Sequence, residues 1–586
     1  MKRKNILFLV IDSVTNDVIF NKDTNVAPFI RSIRDKSITG DNMYSEAPFT
    51  EAALISLLAS KNTMDNYGYM ERMKNVKTLL EVFKENGYIT FHNNYYPDIY
   101  PSYMMPGSTE KKYIEGYEFD SHIWEYRFKY FASLYLEKKT TKKENIMLQD
   151  MLLDNFDAWI TYLEKVKNND IELSMIVKHI DKANIDDVIN TLKEERKKFI
   201  SNKDEYLKDL FIKREEHILF TIPKYKMTDK IHNDEFRDET VKRYKPIFDK
   251  INKANIKYNL RNNKFPFKKL IKLIFHLELR KAKALMLAYK NSLFDKDLYE
   301  RNRKDYDLFK NHVSFRTIAN TFIDFAKKNK KSNWLAYVHV DDAHFNENFF
   351  TYDTTDRKLL DYEFKMASDY VDNLPKNYCG SITNDLSLNY CDDVVKMIFK
   401  KLKENNMLDN TDIIITADHG FSFRFCPVRD GYVNTYYKEN YNVPFIIYGK
   451  DIKPRYINKF TQTYDIPATI IDLANIKEPD FIGESLLKSD GKDYALLEYM
   501  GGGCPDYNRR PINLGVRTEN YSVVVEIYIN QNFKNAKIVS VYDLKKDKYE
   551  HNDLHYNKNI SKKIEKELKI LEKRFYEINK YYMEEK

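Results

Sequence analysis

The residue order points to an α/β protein: a mixed, mostly parallel sheet sandwiched by helices, with a large helical insertion and a small C-terminal subdomain. Three features carry that expectation. Short, continuous apolar runs stand at 5–11, 334–340, 412–417 and 443–448, the pattern of parallel strands buried on both faces. Helical patterns fall between them, which argues for helices on both sides of a sheet. From about 125 to 330 the chain turns lysine-rich and helical, and buried-strand runs become scarce. The 586 residues exceed one ordinary core, so a domain of catalytic size with additions is expected.

The elements follow in order. The run from Asn5 to Ile11 ends at Asp12. Leu79, Leu80, Val82 and Phe83 fall at helical spacing, and Gly87 closes that helix before a strand near Tyr88–Phe91. The stretch 186–211 carries Val188, Ile189, Leu192 and Ile200 among many charges and reads as helix. The run at 334–340 comes next, then an amphipathic helix over Cys391–Glu404 with Val394, Val395, Ile398 and Phe399 on one face, then the runs at 412–417 and 443–448. A charged helix at about 559–581 closes the chain, and no heptad pattern is long enough for a coiled coil. The expected organisation is a first part of the sheet domain at 1–124 and an insertion or cap at 125–330. The second part of the sheet domain follows at 331–500, and a small C-terminal subdomain with its terminal helix at 501–586.

Composition excludes several classes. With 43% hydrophobic and 31% charged residues the chain is foldable rather than disordered. A net charge of +8 is mild at this size, and there is no arginine-rich arm, zinc finger or RNP-like motif, so no nucleic-acid partner is expected. No apolar run approaches the ~20 residues of a membrane span. Met1-Lys-Arg-Lys opens like a signal peptide, but the apolar stretch Ile6–Ile11 stops at Asp12, short of the usual run of about 7–15 residues. Cys379, Cys391, Cys426 and Cys504 lack C-x-x-C spacing and are too few for a disulfide scaffold. A cytoplasmic chain is expected.

Three distant segments each put polar residues at the carboxyl end of an expected strand: Asp12; Asp341, Asp342 and His344; Asp418 and His419. Ligands bind along that edge of open α/β sheets, so these groups can converge. Two aspartates and a histidine suit one divalent cation such as Mn²⁺ or Zn²⁺. Singly, each has a plainer reading, as a helix cap or a hydrogen-bonded histidine. A fourth segment, Ala47-Pro-Phe-Thr50-Glu-Ala-Ala-Leu-Ile-Ser56, starts a helix just after Thr50. From this segment alone Thr50 is an N-cap; beside a metal and a helix N-terminus it becomes a nucleophile.

The order of these pieces resembles the sulfatase family of the alkaline-phosphatase-like superfamily. The carriers are Ile6-Leu-Phe-Leu-Val-Ile-Asp12, Ala47-Pro-Phe-Thr50, His339-Val-Asp-Asp-Ala-His344 and Thr416-Ala-Asp418-His419-Gly420. Later come Val443-Pro-Phe, Tyr464-Asp465-Ile-Pro467 with Asp472, Gly483-Glu-Ser485-Leu, Gly515-Val-Arg517 and Val541-Tyr-Asp543. The resemblance covers roughly 1–120 and 330–555. It implies an alkaline-phosphatase-like fold and one divalent metal ion held by Asp12, Asp418 and His419, with Thr50 bridging to it. Mn²⁺ or Zn²⁺ is favoured, and Mg²⁺ or Ca²⁺ is compatible. Where sulfatases carry C-x-P-S-R, or a serine variant, and oxidise its first residue to formylglycine, this chain has Thr50-Glu-Ala-Ala-Leu54. Threonine there resembles the branch that moves phosphate: phosphoglycerol and phosphoethanolamine transferases and phosphonate or phosphodiester hydrolases. The usual paired N-terminal aspartates are reduced to Asp12-Ser13.

The resemblance implies a phosphoester-processing enzyme, hydrolase or transferase, acting through a phospho-threonine at Thr50, with His344 serving the substrate oxyanion or the leaving group. His339, Arg424 and Lys438 are candidate substrate contacts. His339 also reads as a core residue, and Arg424 and Lys438 also read as solvated charges. The expected substrate is a small molecule or a polysaccharide or glycolipid precursor. The competing readings are a sulfatase without formylglycine, and a catalytically silent binding protein that uses its helical insertion.

Overall fold

A computed structural model describes residues 4–20, 24–65, 77–93, 110–112, 118–119, 135–136, 138, 142–168, 184–213, 225–226, 234–262, 265–293, 314–344, 349–351, 354–421, 436–478, 480–499 and 511–583. The central sheet has eight strands: β1 (Asn5–Ile11), β2 (Ile38–Gly40), β3 (Ile89–Asn93), β4 (Glu110–Lys112), β5 (Trp334–Val340), β6 (Thr411–Thr416), β7 (Phe445–Tyr448) and β8 (Arg455–Ile457). Their spatial order is β8-β2-β7-β6-β1-β5-β3-β4. Every neighbouring pair is parallel except those made by β7, which runs against both β6 and β2.

The continuous apolar runs follow from burial on both faces. Every residue of β1, β5 and β6 is buried, and β1 lies centrally between the other two. The run at 443–448 departs from the expected parallel strand. Its strand begins at Phe445 and is antiparallel, with Phe445 opposite Thr416. The chain leaves β6 and re-enters the sheet at the same edge, so β7 must run back. Burial on both faces demands the same apolar run in either direction, which is why the pattern could not reveal it.

Helices cover the sheet. Thr78 caps Leu79–Glu85 in a reciprocal capping box with Glu81, and Gly87 ends the turn at φ 79°. The helix expected over Cys391–Glu404 starts earlier, at Ile382, where the Ser381 hydroxyl accepts from Asn384 N–H. The segment 186–211 forms two helices, Ile185–Ser201 and Lys203–Lys213. The terminal helix likewise divides, into Ile560–Lys563 and Glu565–Met583. Within the lysine-rich region, Phe315–Lys328 sends Phe315, Ile318, Phe322 and Phe325 into the main sheet's core. Strands Tyr494–Tyr499, Ile512–Thr518, Tyr521–Ile527 and Lys537–Asp543 form a separate antiparallel sheet against which the terminal helix packs. Cys379 is disulfide-bonded, a bond that oxidising compartments favour; the cytoplasmic expectation finds no support in it. No described helix is long and apolar enough to cross a membrane.

Asp392 links two helices in a way that makes stability depend on pH. From the helix Ile382–Glu404 its carboxylate accepts Phe29 N–H at 2.9 Å and Ile30 N–H at 2.7 Å, the orphan donors of Pro28–Ile33. Burial raises its pKa to about 6, against the pull of those N–H groups. The folded state therefore holds a proton that the unfolded chain, at 3.8, has released. Stability from this group is greatest below the unfolded pKa and falls by about 3 kcal/mol as pH rises from about 4 to above 6. Urea titrations of Asp392→Asn should show a flatter decline over that window than the wild type; an equal decline would assign the pH dependence elsewhere.

Candidate active site

The register of three strands builds the site. Val10 pairs with His339 on one side and Thr416 on the other, so β1, β5 and β6 end level. Asp12 N–H continues the ladder to Val340 O at 2.8 Å. Asp12, Asp418 and His419 thereby meet at one edge, all fully or almost fully buried, with their ligating atoms within 4.8 Å of one another.

Thr50 joins them from a fourth element. The structure does not make it an N-cap: Phe49 holds that position in extended backbone, and Thr50 is the first residue of the helix Thr50–Ala59. The Phe49 ring, edge-on to Tyr499 at 5.7 Å, anchors the helix start. The Thr50 hydroxyl is left to point at the cluster, 3.3 Å from Asp12 Oδ2 and 3.4 Å from His419 Nε2. At the other end Ser60, at φ 50°, donates from its hydroxyl to Tyr464 O at 2.7 Å.

The donor set fits one cation. His419 Nε2 stands 3.5 Å from Asp12 Oδ1 and 3.6 Å from Asp418 Oδ2, too far for good hydrogen bonds. Two ligands each about 2.0–2.2 Å from a tetrahedral ion stand about 3.3–3.6 Å apart, which matches this spacing. His419 Nδ1 lies 2.7 Å from Gly420 O, an acceptor only, so Nδ1 carries the proton and the Nε2 lone pair faces the cluster. Asp418 Oδ2 is buried and accepts no hydrogen bond among the described residues. Burial pushes the Asp12 carboxyl up, but the field of His344, His419 and His339, with the Ser13 hydroxyl, outweighs it and sets its pKa at about 2.

His339 also belongs to this cluster. It is fully buried, with Nε2 3.7 Å from Asp418 Oδ2 and 3.9 Å from Asp12 Oδ2, and Nδ1 3.0 Å from the Tyr337 hydroxyl. Burial lowers its pKa against the pull of Asp418 and Asp12, so at pH 7 it is neutral. His344, half-buried in the turn after β5, acts on Asp12 through its charge. Asp342 serves the fold instead, its Oδ1 accepting Phe315 N–H at 3.2 Å.

Lys438 is not brought to the cluster. Its ammonium is held by Asp17 at 2.8 Å and its backbone N–H by Glu550 at 2.6 Å. It lines a different cavity of about 470 Å³, together with Arg517, Lys492 and Lys459. Arg424 lies outside the described residues.

Sequence reasoning missed two organising residues. Ser13, at φ 63°, donates N–H to Asp418 Oδ1 at 3.1 Å and its hydroxyl to Asp12 Oδ1 at 2.7 Å, fixing both carboxylates. A non-glycine residue held in the left-handed region beside a carboxylate cluster is the strain expected of a functional site. Asn93, at the end of β3, exchanges two hydrogen bonds with the backbone of His339. No local pattern marks either residue. Glu46, four residues before Thr50, accepts from Thr63 N–H, Ser56 and Gln462. Burial and then Glu498 raise its pKa well above the usual carboxylate range.

Gly420 is required by close approach. A Cβ there would stand 1.9 Å from Glu439 O, on the segment whose Asn440 O accepts Gly420 N–H at 2.9 Å. Gly420→Ala must displace the His419 loop, and a shift of that size should lower kcat/KM by about 10²-fold. Steady-state kinetics with an ester substrate will check it; an unchanged kcat/KM would mean the loop has slack.

Comparison with known proteins adds a family. The family model described as Sulfatase matches residues 4–201 and 254–476. Among solved structures, a phosphonate monoester hydrolase from Silicibacter pomeroyi is 12% identical over 96% of this chain and 93% of its own, at a TM-score of 0.48. A 2-O GAG sulfatase is 15% identical over 100% and 94%, at a TM-score of 0.45.

Proposed function

This chain belongs to the sulfatase family of the alkaline-phosphatase-like superfamily, and from that membership we propose that it processes phosphoesters through a covalent phospho-threonine at Thr50. The observation that carries the proposal is the Thr50 hydroxyl, at the start of its helix, facing Asp12 and His419. Threonine bears a methyl on the carbon that would have to become an aldehyde, and oxidation there gives a ketone. Formylglycine chemistry is closed to this residue, whereas its hydroxyl is a competent nucleophile for phosphorus.

Asp12, Asp418 and His419 would hold the divalent ion, with Thr50 beside it. Their nitrogen and oxygen atoms favour Mn²⁺ or Zn²⁺ and also admit Mg²⁺ or Ca²⁺. When bound, the ion supplies positive charge that acidifies a neighbouring hydroxyl and withdraws charge from a phosphoryl oxygen. Thr50 Oγ1, its proton released to solvent, forms the bond to phosphorus as the bond from phosphorus to the leaving alkoxide breaks. His344 would donate a proton to that alkoxide. His339 faces the same cluster, as a neutral hydrogen-bonding group for a phosphoryl oxygen. Ser13 keeps Asp12 and Asp418 in place throughout. Water completes a hydrolase cycle, and a sugar or polyol hydroxyl completes a transferase cycle. Arg424 would give the substrate a second anion contact, and the substrate class is a small-molecule, polysaccharide or glycolipid phosphoester.

The test is a panel of chromogenic phosphodiester, phosphomonoester, phosphonate ester and sulfate ester substrates, after chelation and re-addition of single divalent metals. Phosphoester cleavage should return with the metal. Turnover of sulfate esters alone would replace this reading with that of a sulfatase working without formylglycine.

A further inference from the structure

The helical hairpin Phe267–Phe275 and Leu279–Leu293 is built inside out. A surface helix normally buries its apolar stripe and leaves its cations in water. Here the first helix turns two of its three lysines, Lys269 and Lys272, inward. Lys272 donates to Asp553 O and sits 5.0 Å over the Tyr556 ring, Lys269 donates to the Tyr437 hydroxyl, and His276 stacks on Tyr556 at 3.9 Å. The apolar residues of the opposite face stand in solvent. Phe275 is 81% exposed and Leu277 82%, with Phe267, Ile271 and Leu279 each above 60%. Phe267, Ile271, Ile274 and Phe275 follow the i, i+4, i+7, i+8 spacing of a single face. Leu273, Ala282 and Leu285 turn inward as a small core.

We propose that this hairpin docks the enzyme onto an anionic lipid surface. Charge selects the partner. The stretch 265–293 carries seven Lys and Arg against one acid, Glu278, and that acid is engaged by Lys281 and Tyr556. Lys268, Arg280, Lys283 and Lys290 are exposed and make no ion pair among the described residues. A second copy of the chain would set these cations against their own kind. An apolar face bordered by unpaired cations matches the layer where acyl chains meet anionic headgroups. Nine residues of helix span about 14 Å, so the first helix lies in the interface and does not cross the bilayer. Tyr437, which anchors Lys269, opens the segment whose Asn440 O holds Gly420, so the hairpin is tied to the edge of the sheet that carries the site.

The experiment is co-sedimentation of the full chain with vesicles of phosphatidylcholine alone and of phosphatidylcholine mixed with phosphatidylglycerol, beside Ile271→Asp, Phe275→Asp and the pair Lys283→Glu, Lys290→Glu. These side chains are exposed, so the variants should melt with the wild type. Binding to the mixed vesicles should exceed binding to phosphatidylcholine by about tenfold, weaken with salt, and fall by about tenfold in each variant. The proposal is overturned if the wild type stays in the supernatant with both vesicles, or if the variants bind as it does. It is equally overturned if Phe275→Asp turns a dimer into a monomer while vesicle binding is absent. No substrate enters the measurement, so its outcome is independent of the phosphoester reading.

Discussion

Replacing Thr50 with alanine is expected to lower turnover of the best phosphoester substrate by about 10³-fold or more, the scale of losing a nucleophile. The fold should survive. The change removes one hydroxyl and one methyl from a site whose helix start is set by Phe49 and whose end is held by Ser60. Thr50→Ser separates the two losses, because it returns the hydroxyl without the methyl and should recover most of the activity. Stopped reactions of the wild type should yield a peptide phosphorylated at Thr50, and Thr50→Ala should yield none. Turnover by Thr50→Ala within tenfold of the wild type would remove Thr50 from the chemistry and leave it a helix residue.

The second large effect is expected at Asp418. Its Oδ2 faces His419 Nε2 and makes no hydrogen bond among the described residues, while its Oδ1 is held by Ser13 and His419 N–H. Asp418→Asn puts an amide where an anionic donor is needed. Metal affinity should drop by more than the ~10–100-fold that loss of an outer hydrogen-bond partner costs. Activity falls with it. Without metal the sign reverses for stability, since Asp12 and Asp418 are two buried carboxylates whose repulsion the variant relieves. The metal-free variant should melt no lower than the metal-free wild type. Added metal should raise the melting temperature of the wild type alone, because only that protein binds the ion in its folded state. Equal stabilisation of both proteins by metal would place the ion elsewhere.

Asp418→Asn and Gly420→Ala test different links of one chain of cause. The first removes a ligand atom and leaves the loop in place. The second leaves every ligand atom and moves the loop that presents His419. Metal content measured beside kcat/KM separates them, since loss of a ligand should empty the site and displacement should mainly slow turnover.

The family likeness and the surface hairpin concern different parts of the molecule. The cluster at the strand ends depends on parallel register within the main sheet. The hairpin depends on helices inside the lysine-rich region, whose composition alone reads as a solvated cap. What distinguishes it is the direction in which its amphipathic face points, and that follows from Tyr437, Asp553 and Tyr556 taking its cations.

The strands and the residues at their ends were legible in the order of amino acids. Runs such as Ile6–Ile11 and Trp334–Val340 must be strands buried on both faces, because that many apolar side chains find no other place in an α/β layer. Polar residues placed just past them, Asp12, Asp418 and His419, could then be assigned to one edge without knowing any distance. Packing in three dimensions settled the remainder. Periodicity reports burial and carries no direction, so β7 was free to run antiparallel. A helix start is legible only to within a residue, so Phe49 took the cap and released the Thr50 hydroxyl to Asp12 and His419. Ser13 and Asn93 carry no local signal, because Asp418 and His339, which they hold, lie 405 and 246 residues away and meet them only through the register of the sheet. Which side of an amphipathic helix faces water is likewise set by what packs against it, and the Phe267–Phe275 helix gave Lys269 and Lys272 to the protein and its apolar face to the solvent.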